Sequence, residues 1–443
     1  MLGEYPIEGR GAAEIAASVE RAVGAGALEP GQLLPPMREL ASRLGVNPNT
    51  VAAAYRTLRE RGVIETSGRR GSRVRPKPAT TGRDQIGVDL PAGVRDLSSG
   101  NPDPALLPAL APALAAVAAE SDRAPVLYGA DPVEPELERM SRAAFAADGV
   151  PGGPVTVASG SLDAVERVLV AHLKPGDAVA VEDPGWARIL DLVPALGLRA
   201  VPVAVDDEGP RPDGLRQALA SGARALIVTA RAQNPTGAAV SAPRARALRA
   251  LLREHPHTLL IEDDHGHGIV DLPPHPLVGG THHWAFLRSV AKAYGPDLRL
   301  AVMTGDEVTV DRVRGRQRLG PGWVSHLLQR TMVRMWADGA MDGPEVAAAY
   351  RARRELLVDA LADHGIEAHG RSGMNVWVPV PDETGAVARL LHEGWGVSPG
   401  ARYRMATPPG IRITVSTLTP AETARLAAAV AAAVEPGRGR VLA

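Results

Sequence analysis

The sequence predicts a large α/β body with a mainly parallel sheet, preceded by a small helical head that ends in a β-hairpin. Three observations carry that prediction. A chain of 443 residues is too long for one compact core. Its first 61 residues hold three short helical periods separated by glycine and proline. From Val155 onward, short β-rich runs alternate with helical stretches.

Composition narrows the class before any motif is read. Hydrophobic residues make up 45% of the chain and mean hydropathy is −0.05, as in ordinary folded domains. No run approaches the ~20 apolar residues of a membrane span. The first ten residues carry Glu4, Glu8 and Arg10 without an apolar core, unlike a signal peptide. The absence of cysteine excludes disulfides, thiolate metal sites and cysteine nucleophiles, and a cytoplasmic location is expected. The net charge of −1 hides an asymmetry: residues 1–78 carry 12 Lys and Arg against 8 Asp and Glu, and the remainder is acidic. A basic head on a mildly acidic body suits nucleic-acid contact confined to the head. Only three lysines occur, Lys77, Lys174 and Lys292, so chemistry that needs a primary amine has few candidates.

In the head, Ile15, Val19 and Val23 mark one apolar face of a helix over Ala13–Ala25. Pro35 and Pro36 precede a second helix, Met37–Leu44, with Leu40, Ala41 and Leu44 inward. Gly45-Val46 makes a tight turn, Asn47 is placed as an N-cap, and Pro48 sits at the first helical position, where a missing N–H costs nothing. The third helix, Pro48–Arg61, turns Val51, Tyr55 and Leu58 inward and leaves Asn49, Thr50 and Arg56 outward. A short helix, a glycine turn and a polar-faced helix form a helix-turn-helix, and residues 62–74 read as a hairpin with an arginine-rich tip. The pattern alone also fits a small helical bundle with a decorated hairpin. Lys77, between Pro76 and Pro78, lies in a polar stretch that reads as an extended linker over 77–95.

In the body, strands are expected at Val155–Ala158, Ala178–Glu182, Ala200–Val205, Ala225–Thr229, Thr258–Asp263, Trp284–Ser289 and Leu300–Thr304. Helices are expected at Leu162–Leu173 and Arg244–Glu254. A helix-rich stretch over about Trp323–His364 leads to a smaller α+β segment, with strands near Met374–Val380 and Ile411–Ser416 and a last helix Pro420–Val434. Functional residues should gather in loops at one end of the parallel strands. Ser159-Gly160-Ser161 opens a helix after the first strand, as an anion site or a simple N-cap. Asn234-Pro235-Thr236-Gly237 is by itself a turn. The run Glu262 to His267 reads either as a metal-type cluster or as a solvated turn, and no metal is expected. Lys292 follows another strand, close to that acidic strand end, where an amine is well placed for desolvation and Schiff-base chemistry.

These pieces carry two resemblances. The stretches Leu34 to Ala41, Leu44 to Val51 and Tyr55 to Leu58 resemble the GntR-type winged helix-turn-helix. Residues from about Leu97 onward resemble the fold-type I aminotransferases, which bind pyridoxal 5'-phosphate (PLP). A head and body so joined resemble the MocR (GabR-type) family of transcription regulators. The implied domains are 1–76, a linker 77–95 and a body 96–443 with a small subdomain from about 345.

The resemblance implies a role for each site residue. Lys292 would form the Schiff base, and Asp263 would pair with the pyridine nitrogen. Gly160, Ser161, Ser289 and Arg299 would cup the phosphate, with Tyr128 reaching across from the second subunit of a homodimer. Trp186 would stack on the ring, and Asn234 and His265 would face its 3-hydroxyl. Arg412, and less directly Arg188, would take the carboxylate of an amino compound acting as effector. Arg38, Asn49, Thr50 and the wing arginines Arg69, Arg70 and Arg73 would contact double-stranded DNA. Four departures stand out: Pro48 replaces an arginine common in relatives, His265 a tyrosine, Ala291 a hydroxyl residue, and Leu162-Asp163 a glutamine pair. The implied function is a regulator that senses PLP, an amino compound or both. A working aminotransferase with an appended DNA-binding domain is the alternative, and a cofactor-free regulator is a third.

Overall fold

The computed structural model describes residues 7–24, 27–29, 31–60, 63–66, 71–74, 82–83, 86–87 and 89–434. Arg69, Arg70 and Lys77 lie outside the described residues.

The head contains α1 (Ala12–Gly24), α2 (Met37–Leu44), α3 (Pro48–Glu60), and the hairpin strands β1 (Ile64–Thr66) and β2 (Ser72–Val74). Its core forms where the predicted apolar faces meet: Ile15 and Val19 of α1, Leu40 and Ala41 of α2, and Val51, Tyr55 and Leu58 of α3 are buried. Ile64 and Val74 close it from the hairpin, where they stand opposite each other in an antiparallel register. Gly45, with φ 65°, turns α2 toward α3, and its N–H bonds back into the last turn of α2. Asn47 caps α3 as expected: its Oδ1 accepts from the Asn49 N–H at 2.8 Å. The buried Tyr55 hydroxyl donates to the Pro35 carbonyl at 2.7 Å and ties α3 to the start of α2.

The body opens with β3 (Arg95–Asp96), α4 (Ala111–Arg123) and α5 (Pro135–Ala147). An alternating series follows: β4 (Val155–Ala158), α6 (Ser161–His172), β5 (Ala178–Asp183), α7 (Ala187–Ala195), β6 (Arg199–Asp206), β7 (Gly209–Pro210), α8 (Pro212–Ala220), β8 (Ala223–Thr229), α9 (Ala242–Glu254), β9 (Leu259–Asp264), β10 (Trp284–Ser289), α10 (Ala291–Tyr294) and β11 (Ala301–Gly305). The sheet runs in the order β4-β11-β10-β9-β8-β5-β6-β7. Strand β9 is parallel to both β8 and β10, whereas β11 runs antiparallel to β10 and β4. The sheet is therefore mixed. Strands β4, β5, β9 and β10 are buried along their whole length, which is why they read as near-continuous apolar runs.

Helices α11 (Glu307–Arg318), α12 (His326–Ala337) and α13 (Gly343–Asp363) lead to the smaller α+β part. Asp306 and Asp342 cap α11 and α13, accepting from Thr309 N and Glu345 N. The smaller part comprises β12 (Asn375–Pro379), α14 (Glu383–His392), β13 (Trp395–Gly396), β14 (Ser398–Pro399), β15 (Gly410–Thr414) and α15 (Pro420–Val434). Its antiparallel sheet, β12-β15-β14, packs Val376, Ile411 and Ile413 against Leu357, Leu390 and Leu426 of the helices. The early segment belongs to this part as well: β3 pairs in parallel with β13, and Leu97 is buried in the same core. Among the described residues no helix is long and apolar enough to cross a membrane.

Candidate functional site

Loops at the C-terminal ends of β4, β5, β8, β9 and β10 converge on a cavity of about 350 Å³, joined by the segment after β3 and by β15. Its lining includes Gly160, Ser161, Trp186, Arg188, Asn234, Asp263, His265, Ser289, Lys292, Arg299 and Arg412. These residues lie far apart in sequence, yet they are the body residues singled out above, with one exception. Tyr128 does not line the cavity; it is 93% exposed and meets Trp323 edge-on at 5.6 Å.

Lys292 sits in the short helix α10, and its Nζ donates to the Gly100 carbonyl at 2.7 Å. Burial, and then the nearby Arg412 charge, lower its pKa to about 8. A substantial share of this amine is therefore neutral near physiological pH, as a nucleophilic lysine requires. Asp263 ends a strand whose apolar run carries it into the interior, where it is 5% exposed. Both of its oxygens are engaged: Oδ1 accepts from the Ser161 hydroxyl at 2.8 Å, and Oδ2 lies 2.9 Å from His265 Nδ1.

Two of the predicted contacts change form. The Ser161 hydroxyl goes to Asp263, so what Ser161 can offer an anion at the start of α6 is its backbone N–H. His265 turns its other ring nitrogen, Nε2, toward the Ala232 carbonyl at 2.8 Å. Burial opposes charge on this ring, but the facing carboxylate and carbonyl outweigh it and raise the pKa above the ordinary histidine value.

Backbone strain collects here. Among the described residues, the non-glycine positions with left-handed backbone are Ala232 (φ 57°) and Arg299 (φ 45°), and both line the cavity. Arg299 crosses to donate to the Ser159 carbonyl at 2.8 Å. A Cβ on Gly160 would stand 2.8 Å from its Nη2, and the φ of 98° at this position is one that favours glycine.

At the other end, Arg412 is 4% exposed, donates to Asn234 Oδ1 at 3.1 Å and to the Ser98 carbonyl, and stacks 4.9 Å from the Tyr403 ring. Among the described residues its buried Nε has no partner. A buried guanidinium whose hydrogen-bond partners are all neutral is an anion site by its chemistry. Gly100 (φ 68°) passes so close that a Cβ would lie 3.2 Å from that guanidinium.

Sequence reasoning missed Ser99, Gly100, Asn101, Arg402 and Tyr403 in the lining. The turn-forming Ser98-Ser99-Gly100-Asn101-Pro102 could have flagged the first three. Arg402 and Tyr403 belong to a single 3₁₀ turn and its cap, which has no period to read.

The acidic run that ends β9 resolves into a charge network. Asp148, Asp264 and His267 lie close enough to share a cation. However, Asp264 already accepts from Arg231 at 2.7 Å and from Arg288 at 3.1 Å, and Arg288 also reaches Asp148. Two guanidinia supply there the positive charge that a metal would bring.

In the head, Arg38 in the first turn of α2, Asn49 in the first turn of α3 and Arg73 in β2 are exposed, and Thr50 is half-buried. They lie on the outer surface of the head, Thr50 only in part.

Comparison with known proteins agrees with this organisation. Residues 92–430 match the family Aminotransferase class I and II, and residues 12–74 match the bacterial regulatory proteins of the gntR family. The chain is 41% identical over 428 residues to the vitamin B6 salvage pathway transcriptional repressor PtsJ of Salmonella typhimurium, covering 95% of this chain and 98% of that protein. It is 25% identical to the pyridoxine biosynthesis transcriptional regulator PdxR of Corynebacterium glutamicum, covering 79% of this chain and 78% of that one. Among solved structures, the α-aminoadipate aminotransferase LysN of Thermus thermophilus, complexed with N-(5'-phosphopyridoxyl)-L-leucine, shares the fold at a TM-score of 0.68 and 22% identity, covering 80% of this chain and 96% of that one. The chain thus belongs to the MocR-type transcription regulators, in which a gntR-family DNA-binding head is joined to an aminotransferase-type body.

Proposed function

We infer that this chain is a DNA-binding transcription regulator that takes PLP at Lys292 and reads the cofactor, or an amino compound meeting it, as its signal. The observation that carries this reading is the desolvated amine of Lys292 inside the cavity of a body whose head is of the gntR type. The Salmonella relative is named for vitamin B6 salvage, which favours PLP itself as a signal.

The residues present fit the cofactor. Glycine at 160 leaves a cradle beside Arg299, the Arg412 Nε awaits an acceptor, and the cavity joins both to the Lys292 amine. Bound there, PLP supplies an electron-withdrawing ring that joins amines reversibly. Lys292 is its covalent anchor. Asp263, oriented by Ser161 and His265, holds a proton at the ring nitrogen. The backbone of Gly160 and Ser161, with Ser289 and Arg299, takes the phosphate, and Trp186 covers the ring face. Asn234 would lie on the side of the ring hydroxyl, whereas both His265 ring nitrogens are committed to Asp263 and the Ala232 carbonyl. Arg412, with Arg188, takes an incoming carboxylate. Tyr128, exposed on this chain, completes the phosphate cup of a second copy in a homodimer. In the head, Arg38, Asn49, Thr50 and Arg73, with Arg69 and Arg70 of the wing, contact operator DNA in the cytoplasm.

The route between cavity and head starts from the linker. Arg83 Nη1 lies within hydrogen-bond distance of the carbonyls of Ala401, Arg402 and Arg404, at 3.0, 3.2 and 3.1 Å, on the loop that carries cavity residues Arg402 and Tyr403. Further along the same strand of chain, the Ser98 and Gly100 carbonyls hold Arg412 and Lys292. A ligand that re-engages these cations acts directly on the segment leading from the head. Complete reversal of a two-state equilibrium asks for ~10⁴-fold differential affinity, about 5.5 kcal/mol.

A gel-shift titration on the chain's own upstream region, with and without PLP, tests this reading. DNA affinity is expected to change with PLP in the native chain and not in Lys292→Ala, which also loses the cofactor's absorbance band. Identical affinities with and without PLP, and with and without amino compounds, would sink it. The second reading, a working aminotransferase, is favoured by Asn234, Asp263, Lys292 and Arg412 lining one cavity. Sustained turnover with a keto acid, beyond a single half-reaction, would establish it.

A further inference from the structure

Both ring nitrogens of His265 face acceptors. Nδ1 lies 2.9 Å from Asp263 Oδ2, and Nε2 lies 2.8 Å from the Ala232 carbonyl oxygen. A carboxylate and a carbonyl both accept, so each ring nitrogen needs a hydrogen, and an imidazole with two N–H groups is a cation. Between an imidazole and a carboxylate, the imidazole is ordinarily the stronger base, so the proton they share belongs on the ring. His265 and Asp263 thus form an ion pair set into the wall of the cavity.

The ring is held in that place. Arg231 and Asp264, the residues just before Ala232 and His265, form a buried ion pair at 2.7 Å. The Ala232 N–H donates to Ser372 Oγ at 2.8 Å and fixes the same peptide from the other side. The other charged groups nearby leave the pair intact. Asp264 is taken by Arg231 and Arg288. Glu182, on β5, accepts from the Thr229 N–H and hydroxyl at 3.0 and 2.8 Å, and the His265 charge favours its ionised form. Burial lowers the His267 pKa to about 4, so that ring adds no charge at neutral pH. Lys292 opposes the His265 charge, but by less than either acceptor favours it.

On the reading above, on which this inference rests, Asp263 meets the ring nitrogen of the cofactor. Its carboxylate comes to that task with Oδ1 on the Ser161 hydroxyl and Oδ2 beside a cation. A carboxylate whose charge is already balanced holds a further proton less firmly. We propose that His265 is a resident cation that competes with the cofactor for Asp263 and keeps the cofactor a weak electron sink. Exchange of one amine for another at the anchor makes little demand on that sink, whereas drawing a proton from a bound amino compound depends on it. His265 is therefore a positioning residue that biases this cavity toward sensing an amine and away from turning it over.

The test uses nuclear magnetic resonance on the full chain, labelled with ¹⁵N-histidine and loaded with PLP carrying ¹⁵N in its ring. The His265 signal, assigned by its loss in His265→Asn, is expected to show both nitrogens protonated at pH 7. His265→Asn keeps a neutral donor near Asp263. In that variant the cofactor's ring nitrogen should release its proton at a pH at least ~1 unit higher than in the native chain, the effect of removing one adjacent charge. His265→Gln replaces that variant if its melting curve shows it unfolded. A neutral His265 in the native chain, or a ring nitrogen that titrates alike with and without it, would overturn the proposal. A chain that takes up no PLP sinks the underlying reading and this proposal with it. Uptake of PLP with either of those two results sinks this proposal alone.

Discussion

The head and the body place the residues proposed to do their work on opposite sides of the water boundary. In the head, Arg38, Asn49 and Arg73 are exposed over a core that is almost entirely apolar. In the body, Asp263, Asp264 and Arg412 are 5%, 0% and 4% exposed, and Arg288 is among the largest fully buried side chains. An exposed reading surface can change without loosening what lies beneath it. A buried polar site cannot, because a charged group taken out of water depends on the partners that hold it. Substitutions in the head should therefore alter binding and spare stability, whereas substitutions in the body should strike stability first.

The largest expected effect is at Asp264. Its carboxylate is shared by Arg231 and Arg288, and its removal leaves two buried guanidinia without that partner. Asp264→Ala should cost the body about 3–5 kcal/mol, measured by chemical denaturation. A loss below about 1 kcal/mol, the worth of an exposed pair, would break the comparison.

Next comes Glu262. It is 0% exposed, its Oε1 has no partner among the described residues, and burial above all raises its pKa to about 8, aided by the neighbouring Asp264 charge. Since the folded pKa lies above the ordinary glutamate value of 4.5, the fold holds a proton that the unfolded chain releases. This contribution is fully present below about pH 4.5 and is lost as pH rises through about 8, at about 1.4 kcal/mol per pH unit. Melting curves of Glu262→Gln and the native chain between pH 5 and pH 8 should diverge in slope, with the variant flatter. Parallel curves would show that this acid does not control the pH dependence.

The smallest effect on stability belongs to Asn49. Asn49→Ala should leave the head's stability within about 0.5 kcal/mol, while operator affinity falls about 10- to 100-fold. A melting shift as large as that for Asp264→Ala would erase the contrast between the two regions.

The same boundary explains what was legible in the sequence. The head could be read helix by helix because burial alternates on one face: Val51, Tyr55 and Leu58 are buried while Asn49 and Arg56 are exposed. The strands of the body could be found because their apolar runs are uninterrupted, and most fell within a residue or two of the structure. Their order could not, since no local pattern says that β11 inserts antiparallel between β4 and β10. Helices α4 and α5 carry no distinct signal next to the linker and were not anticipated. In the cavity, residues at strand ends were found through the resemblance and the scarcity of lysine. Arg402 and Tyr403 were missed because their importance comes from a fold-back onto Arg412, which no spacing encodes.

The Lys292 amine also has a practical consequence. A chain without cysteine and with three lysines offers few side-chain nucleophiles, and one of them is desolvated with a pKa of about 8. At mildly alkaline pH an aldehyde reporter should find its reactive partner here, followed by reduction to make the link permanent. The protein thus carries a native conjugation handle inside its own cavity, and PLP bound at the same amine should protect it from the label.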